Sequence, residues 1–229
     1  VLIGNRHEST LVARKGLGVK EIDDLAGKTV AVPMRFSGHN LSLLQMIDDR
    51  GLTDSINVVE MNPPDMAAAL YTGSLDAYYV GEPFAAQTLK SGHSERVKYV
   101  EEVWDGFICN LVVVRQAFID EDPELMATIV EAAVRSGLWA EQHPTQAAEI
   151  AANYWNQPVE LVKYAMMTPP GRIVYDRFEP IEEEMQVLAD LMVRFGLTDS
   201  SDIAGLIDAR FAQNADITGI GASVDSIFP

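Results

Sequence analysis

Three short stretches of this sequence hold the residue types that could meet a small ligand. Met34-Arg35-Phe36-Ser37-Gly38-His39-Asn40 sets a hydroxyl, a glycine, an imidazole and an amide at consecutive positions, with the Arg35 guanidinium just before them. Asn62-Pro63-Pro64-Asp65 and Val80-Gly81-Glu82-Pro83-Phe84 are the other two. Hydroxyl, imidazole and amide groups give and take hydrogen bonds, and a glycine lets a ligand approach the backbone. That chemistry is recognition, because no nucleophile stands beside a general base in any of the three. Each stretch also has a plainer reading. Ser37 serves equally as a helix N-cap, His39 as a solvated or structurally bonded imidazole, Asn62-Pro63-Pro64 as a turn, and Glu82 as an acid favoured by a helix dipole. His7, His93 and His143 lie in polar contexts without metal-ligand spacing to His39, so no metal or cofactor is expected.

The elements around these stretches place them. From about Asp24 to Gln87 short β-branched runs alternate with segments of helical apolar spacing, the pattern of a parallel α/β sheet. Strands are predicted at Thr29 to Pro33, Ile56 to Met61 and Leu75 to Val80. The helices that follow begin near Gly38, at Pro64 and at Glu82, the last with Pro83 in its first turn, and Gly51 and Gly73 act as helix stops. In an open parallel sheet, ligands bind beyond the carboxyl ends of the strands, where helix N-termini offer N–H groups, and all three stretches lie there. Val97 to Val100 and Cys109 to Val114 read as two further strands, and the rest as helical. Asp122-Pro123-Glu124 opens one helix with Leu125, Ile129, Ala132 and Trp139 as its buried stripe. Thr145 to Trp155 forms another, and Ile181 to Phe195 a third, with Ile181, Met185, Leu188, Met192 and Phe195 on one face and Gly196 as the stop.

Composition removes whole classes of function. With 34 acidic and 17 basic side chains, the formal charge of −17 repels nucleic acid and anionic lipid, and no basic patch offsets it. Apolar runs such as Leu111 to Val114 are far short of the roughly 20 residues that span a bilayer, so no direct membrane insertion is expected of this segment. Val1 in place of methionine reads as processing or a fragment. Cys109 is the only cysteine, which rules out an internal disulfide and a C-x-x-C redox pair. No phosphate-binding G-x-x-x-x-G-K-[ST], dinucleotide-binding G-x-G-x-x-G, G-x-S-x-G elbow or H-E-x-x-H occurs.

Longer stretches carry a family resemblance. LAGKTVAVP (Leu25 to Pro33), FSGHN, and VVEMNPPDMAAALYTGSLDAYYVGEPFAAQTL (Val58 to Leu89) resemble the second-lobe core of NMT1/THI5-like substrate-binding proteins of ABC importers, the nitrate, sulfonate, taurine and bicarbonate type. Asp122 to Trp155 resembles the helical return of the same family. The resemblance implies a type II periplasmic-binding-protein fold of two α/β lobes with crossing hinge strands and C-terminal helices. Residues 1–24 would be the remainder of lobe one, 25–108 lobe two, and 109–229 the return strand and helical part of lobe one. It implies no catalysis, a small polar or anionic solute held between the lobes, a permease as partner, a monomer when intact, and a place in the periplasm or on the outer face of the cytoplasmic membrane. His39 aligns with a ligand-contacting position of nitrate-type members, and Ser37, Gly38 and Asn40 form the cradle around it. Gly81 and Glu82 belong to the glycine-glutamate-proline block, and Arg35 and Pro63 are secondary positions. Asp105 stands in Trp104-Asp105-Gly106-Phe107, where nitrate-type members carry a lysine; an acid there would suit a cation or an amine.

Family members carry roughly 70 to 80 residues before the position of Val1, a length typical of half a lobe. Without them an open sheet edge in lobe one would favour association. The same superfamily holds a thiamin-pyrimidine-precursor synthase that needs iron and a cysteine-rich motif, which a single cysteine does not supply. A ligand-sensing domain of a receptor is the third possibility.

Overall fold

The computed structural model describes residues 1–228. It begins with two strands, β1 (Leu2–Arg6) and β2 (Ser9–Arg14). Then follow β3 (Thr29–Val32), α1 (Gly38–Asp48), β4 (Asn57–Glu60), α2 (Pro63–Thr72), β5 (Ala77–Gly81), α3 (Phe84–Lys90), β6 (Ser94–Tyr99) and β7 (Ile108–Val112). Helices complete the described chain: α4 (Gln116–Glu121), α5 (Pro123–Gln142), α6 (Pro144–Trp155), α7 (Val159–Met167), α8 (Glu182–Arg194) and α9 (Arg210–Gln213).

The five-stranded sheet has the order β4-β3-β5-β2-β6. It is mixed, and this corrects the expectation of a parallel sheet. β3 is parallel to β4 and β5, whereas β2 runs antiparallel to both β5 and β6. The reversal brings the amino end of β2 to the edge where β3, β4 and β5 end, with Ser9 opposite Gly81. Alternating side chains seal both faces. Leu11, Val30, Val32 and Tyr79 join Leu43, Met46 and Ile47 of α1 in one core, and Val12, Ala31, Tyr78 and Val80 join Met66 and Leu70 of α2 and Ala85 of α3 in the other. Each fully buried valine, leucine, isoleucine or methionine among them stabilises by about 1.5–3 kcal/mol.

β1 and β7 form a separate antiparallel pair, with register shifts around Asn5. Arg6, 1% exposed, ties this ribbon down. Its guanidinium donates to the carbonyls of Gly106 (2.6 Å) and Arg177 (2.9 Å) and pairs with Glu184 (2.6 Å). Against the ribbon lie α4, α5 and α9, with Leu2, Ile119, Met126, Val130, Val134 and Phe211 as their shared core.

Several predicted details shift. The Asp122 cap forms, its carboxylate accepting from Leu125 N–H at 2.9 Å, but the buried stripe of α5 is Met126, Val130, Val134 and Trp139. Leu125 and Ile129 are exposed, because Phe211 and Ala212 of α9 cover the neighbouring face. α3 starts at Phe84; β5 runs through Gly81, which leaves Glu82 and Pro83 in the turn between them. β6 begins earlier than expected, at Ser94, and Val100 opens a 3-10 turn. On α8 only Leu191 is fully buried, and Ile181 lies outside the helix as its exposed N-cap. Gly73 and Gly196 close their helices with left-handed φ of 79° and 66°.

Candidate functional site

At the edge where β3, β4 and β5 end, a cavity of about 490 Å³ opens. Four of the residues singled out from the sequence line it: His39, Pro63, Gly81 and Glu82. Glu8, Cys109, Asn110, Trp155 and Gln157 join them from other parts of the chain. A smaller void of about 180 Å³ shares Glu8, Glu82, Asn110 and Trp155 and adds Tyr175 as a wall.

Other predicted residues stand around this cavity without lining it. Ser37 caps α1, accepting from Asn40 N–H at 3.2 Å and donating to Met34 O at 2.7 Å. Asn40 is buried and donates to the Arg35 carbonyl at 2.7 Å, so both residues fix the loop. Arg35 is exposed over the Phe36 ring. Gly38 backs onto Phe107 and faces a separate groove beside α8. Asp105 is exposed and lines neither void.

Of the lining residues that sequence reading missed, Glu8 is the one that carries charge. It sits with His7 in the turn between β1 and β2, and the two have φ of 54° and 68°, a left-handed conformation that costs non-glycine residues of order 1–3 kcal/mol and gathers at functional sites. His7 holds the turn: it accepts from Gly106 N–H at Nε2 (3.2 Å), which leaves Nδ1–H to donate to Arg172 O (3.2 Å). The Glu8 backbone carbonyl accepts from Glu82 N–H at 3.2 Å, setting the two acids side by side. The amides of Asn5 and Asn110 both donate to Glu8 Oε2. Burial holds the Glu8 carboxyl up at about 7 despite those donors.

The Glu82 carboxyl is likewise held at about 7 by burial, although it accepts from Ala86 N–H (2.8 Å) and from the Thr10 hydroxyl (3.2 Å). The nearest cation, Arg172, is buried and already committed. It donates to Glu101 from Nε (2.6 Å) and Nη2 (3.3 Å) and to Ser9 O (2.9 Å), while its Nη1 stands 3.9 Å from Glu82. His39 lies edge-on to Tyr79 and Phe107 and shares a 2.8 Å hydrogen bond with Ser9 Oγ. Burial depresses its imidazole to about 4, so it is neutral at pH 7. The Cys109 thiol, pushed well up by burial, is protonated and a poor nucleophile.

The centre of this arrangement is marked by Gly81. A β-carbon added there would meet Cys109 Sγ and Glu8 Oε1 at 3.9 Å and His39 Nε2 at 4.0 Å. An acceptor, an imidazole and a thiol thus converge on one open point beside the Trp155 indole. The arrangement can hold a small molecule by directed hydrogen bonds and apolar contact. Among the described residues, no group of three or more His, Cys, Asp and Glu side chains is placed to hold a metal ion, and no helix is long and apolar enough to cross a membrane.

Known proteins share this architecture. A putative aliphatic sulfonates-binding protein of Bacillus subtilis (strain 168) is 23% identical over 209 residues, covering 90% of this chain and 61% of the relative. The taurine-binding periplasmic protein of Escherichia coli (strain K12) is 30% identical over 137 residues, which is 58% of this chain and 40% of the relative. The chain thus spans less than two thirds of the length of each of these curated relatives. Among solved structures, a zinc-bound ligand-binding component of an ABC-type import system from Staphylococcus aureus superposes with a TM-score of 0.84 at 19% identity, covering 95% of this chain and 74% of that one. The fold is therefore that of periplasmic-type substrate-binding proteins. It also carries a desulfurization enzyme, DSZB, at a TM-score of 0.64, so the fold by itself does not decide between binding and catalysis. The sequence profile of the NMT1-like family matches residues 3–154, and the chain belongs to that family.

Proposed function

We propose that this chain is the solute-binding part of an ABC importer, capturing a small molecule outside the cytoplasmic membrane and passing it to a permease. The observation that carries the reading is the 490 Å³ cavity at the ligand-binding edge of the sheet. It is lined by polar groups that converge on Gly81, and the one hydroxyl bonded to an imidazole there, Ser9 on His39, is fully buried and outside the lining. His39, with its imidazole depressed to about 4, is a weak base, its hydroxyl partner Ser9 is sealed from the cavity, and the Cys109 thiol is protonated, so none is poised for covalent chemistry. Relatives named as binding proteins for sulfonates and taurine, and a neighbour described as the binding component of an import system, support the reading.

In this reading the sheet unit is one lobe, the helices from α4 onward belong to the other, and the β1–β7 ribbon is the hinge between them. The sheet lobe then includes β2, and its boundary falls at Glu8 rather than at residue 25. His39, Gly81 and Glu82 form the wall contributed by the sheet lobe. Ser37 and Asn40 hold the His39 loop in place, while Arg35 and Asp105 line neither void.

The test is a thermal-shift screen against nitrate, sulfonates, taurine, amines and pyrimidines, repeated with Gly81→Ala. A ligand at a hundredfold excess over Kd should stabilise by about 2.7 kcal/mol, or roughly 5–10 °C at this chain length. The shift should vanish in Gly81→Ala, and NMR of the mixture should show the ligand unchanged. Turnover of the hit would replace binding with catalysis.

A further inference from the structure

Resting on that solute-binding reading, we propose that the cavity selects a small organic cation, a protonated amine or amidinium on a flat or apolar body, and that Glu8 is the group that recognises its charge. The inference runs against the sulfonate and taurine names of the relatives, and charge placement carries it. Neither void has an arginine or lysine in its lining, while both include Glu8 and Glu82. Arg172 is committed to Glu101 through two of its nitrogens and to the Ser9 carbonyl, and its remaining nitrogen reaches Glu82 at 3.9 Å, so Glu8 is the acid left without an ion-pair partner. His39 contributes no positive charge at neutral pH.

The usual anion-binding device is weakened as well. Helix N-termini attract anions through free N–H groups, but α2 begins with Pro63 and Pro64, which have none. The Ala86 N–H at the start of α3 is taken by the protein's own Glu82 carboxylate, and the Asn40 N–H of α1 by Ser37. An anion in this cavity would face two acids and no cationic side chain in the lining.

Glu8, in contrast, keeps capacity for a donor. Both amide donors address its Oε2, and its remaining side-chain neighbour is the Cys109 thiol, which donates only weakly. Its Oε1 lies at the point marked by Gly81. Trp155 and Tyr175 wall the adjoining void, and aromatic faces beside a carboxylate are the surroundings in which ammonium and amidinium groups are held. Glu8 is faced by Arg172, Glu82, Cys109 and Tyr175 and shares the cavity with His39. None of the five supplies a cation free to pair with it.

The experiment compares three probes of matched shape, benzylamine, benzyl alcohol and phenylmethanesulfonate, by calorimetry and thermal shift at pH 8. Benzylamine should bind at least tenfold more tightly than the other two, and Glu8→Gln should remove that preference. In the unsubstituted protein, benzylamine affinity should rise roughly tenfold from pH 6 to pH 8 as Glu8 ionises with its carboxyl near 7, which keeps the test open should Glu8→Gln fail to fold. Tighter binding of phenylmethanesulfonate, lost in Gly81→Ala, would overturn the cation assignment and leave the solute-binding reading standing. Silence of all three probes while another solute of the broader screen binds would also overturn it. Silence of the probes and of that whole screen would overturn both.

Discussion

Arg135 and Glu8 are both charged side chains drawn into the protein, and their surroundings could hardly differ more. Arg135 is 6% exposed and spends its guanidinium on four carbonyls: Ile227 (3.0 Å), Asp216 (2.7 Å), Thr218 (2.8 Å) and Ser226 (2.6 Å). The result is an anchor that clasps the C-terminal segment to α5. Glu8 has two amides on one oxygen, a strained backbone, and a carboxyl lifted by burial to about 7. A polar group buried for architecture is saturated by its own chain; one buried for recognition is left short of partners, and its protonation balance shows it.

The comparison breaks most easily at Arg135. Arg135→Met strands four carbonyls and should cost roughly 3 kcal/mol in urea unfolding, since hydrogen bonds to charged groups are each worth about 1.5–3 kcal/mol. The C-terminal segment should also become the first site of limited proteolysis. A loss below about 1 kcal/mol would mean that the clasp is solvated and not an anchor.

The cleft acids should behave in the opposite sense. Glu8 and Glu82 have folded-state pKa values near 7, raised from 4.5, so the folded chain keeps protons that the unfolded chain has released. Their contribution is present below pH 4.5 and is lost as pH rises through 7. His39, lowered from 6.5 to about 4, opposes them: its contribution is present above 6.5 and lost as pH falls through 4. Above pH 6.5 the two carboxyls act alone. Glu8→Gln should therefore narrow the fall in stability between pH 6.5 and pH 8, by at most about 0.8 kcal/mol and less with solvent in the cavity. An unchanged pH profile would show that Glu8 is as well paired as Arg135.

The smallest effect is expected at Gly81. Its φ lies outside the left-handed region and an added methyl group meets only ordinary contacts, so Gly81→Ala should change stability by no more than about 0.5 kcal/mol while occupying the centre of the cleft. A large loss of stability would place Gly81 on the architectural side of the comparison.

Much of the fold was legible in the sequence because local chemistry and burial agree. TVAV is β-branched and buried, Asp122 caps α5, and Gly73 takes the left-handed turn that ends α2. The α5 stripe slipped by one position because Leu125/Ile129 and Met126/Val130 both satisfy helical spacing. Only the docking of Phe211 and Ala212 separates them. His39, Pro63, Gly81 and Glu82 were visible because they follow strands whose carboxyl ends define the cleft. Glu8 was not, for two reasons. A left-handed glutamate has no sequence signal, and the rule about carboxyl ends overlooks a strand that enters the sheet backwards and presents its first residues there. Trp155 and Gln157 reach the cavity from the far end of α6, a tertiary contact that no local pattern encodes.

The position of β2 also predicts an order of events in time. It is the strand between β5 and β6, hydrogen-bonded along both sides, although it precedes them by more than sixty residues in the chain. β3, β4 and β5 are joined through short crossovers and close small loops, whereas seating β2 closes the longest loops in the sheet, the slow kind of step. Until that happens β5 and β6 each present an open edge, and neither Glu8 nor Ser9 has reached His39. The strand that completes the sheet is the one that brings Glu8 to the cavity, so a chain that has acquired its binding wall has, by the same step, finished folding its sheet.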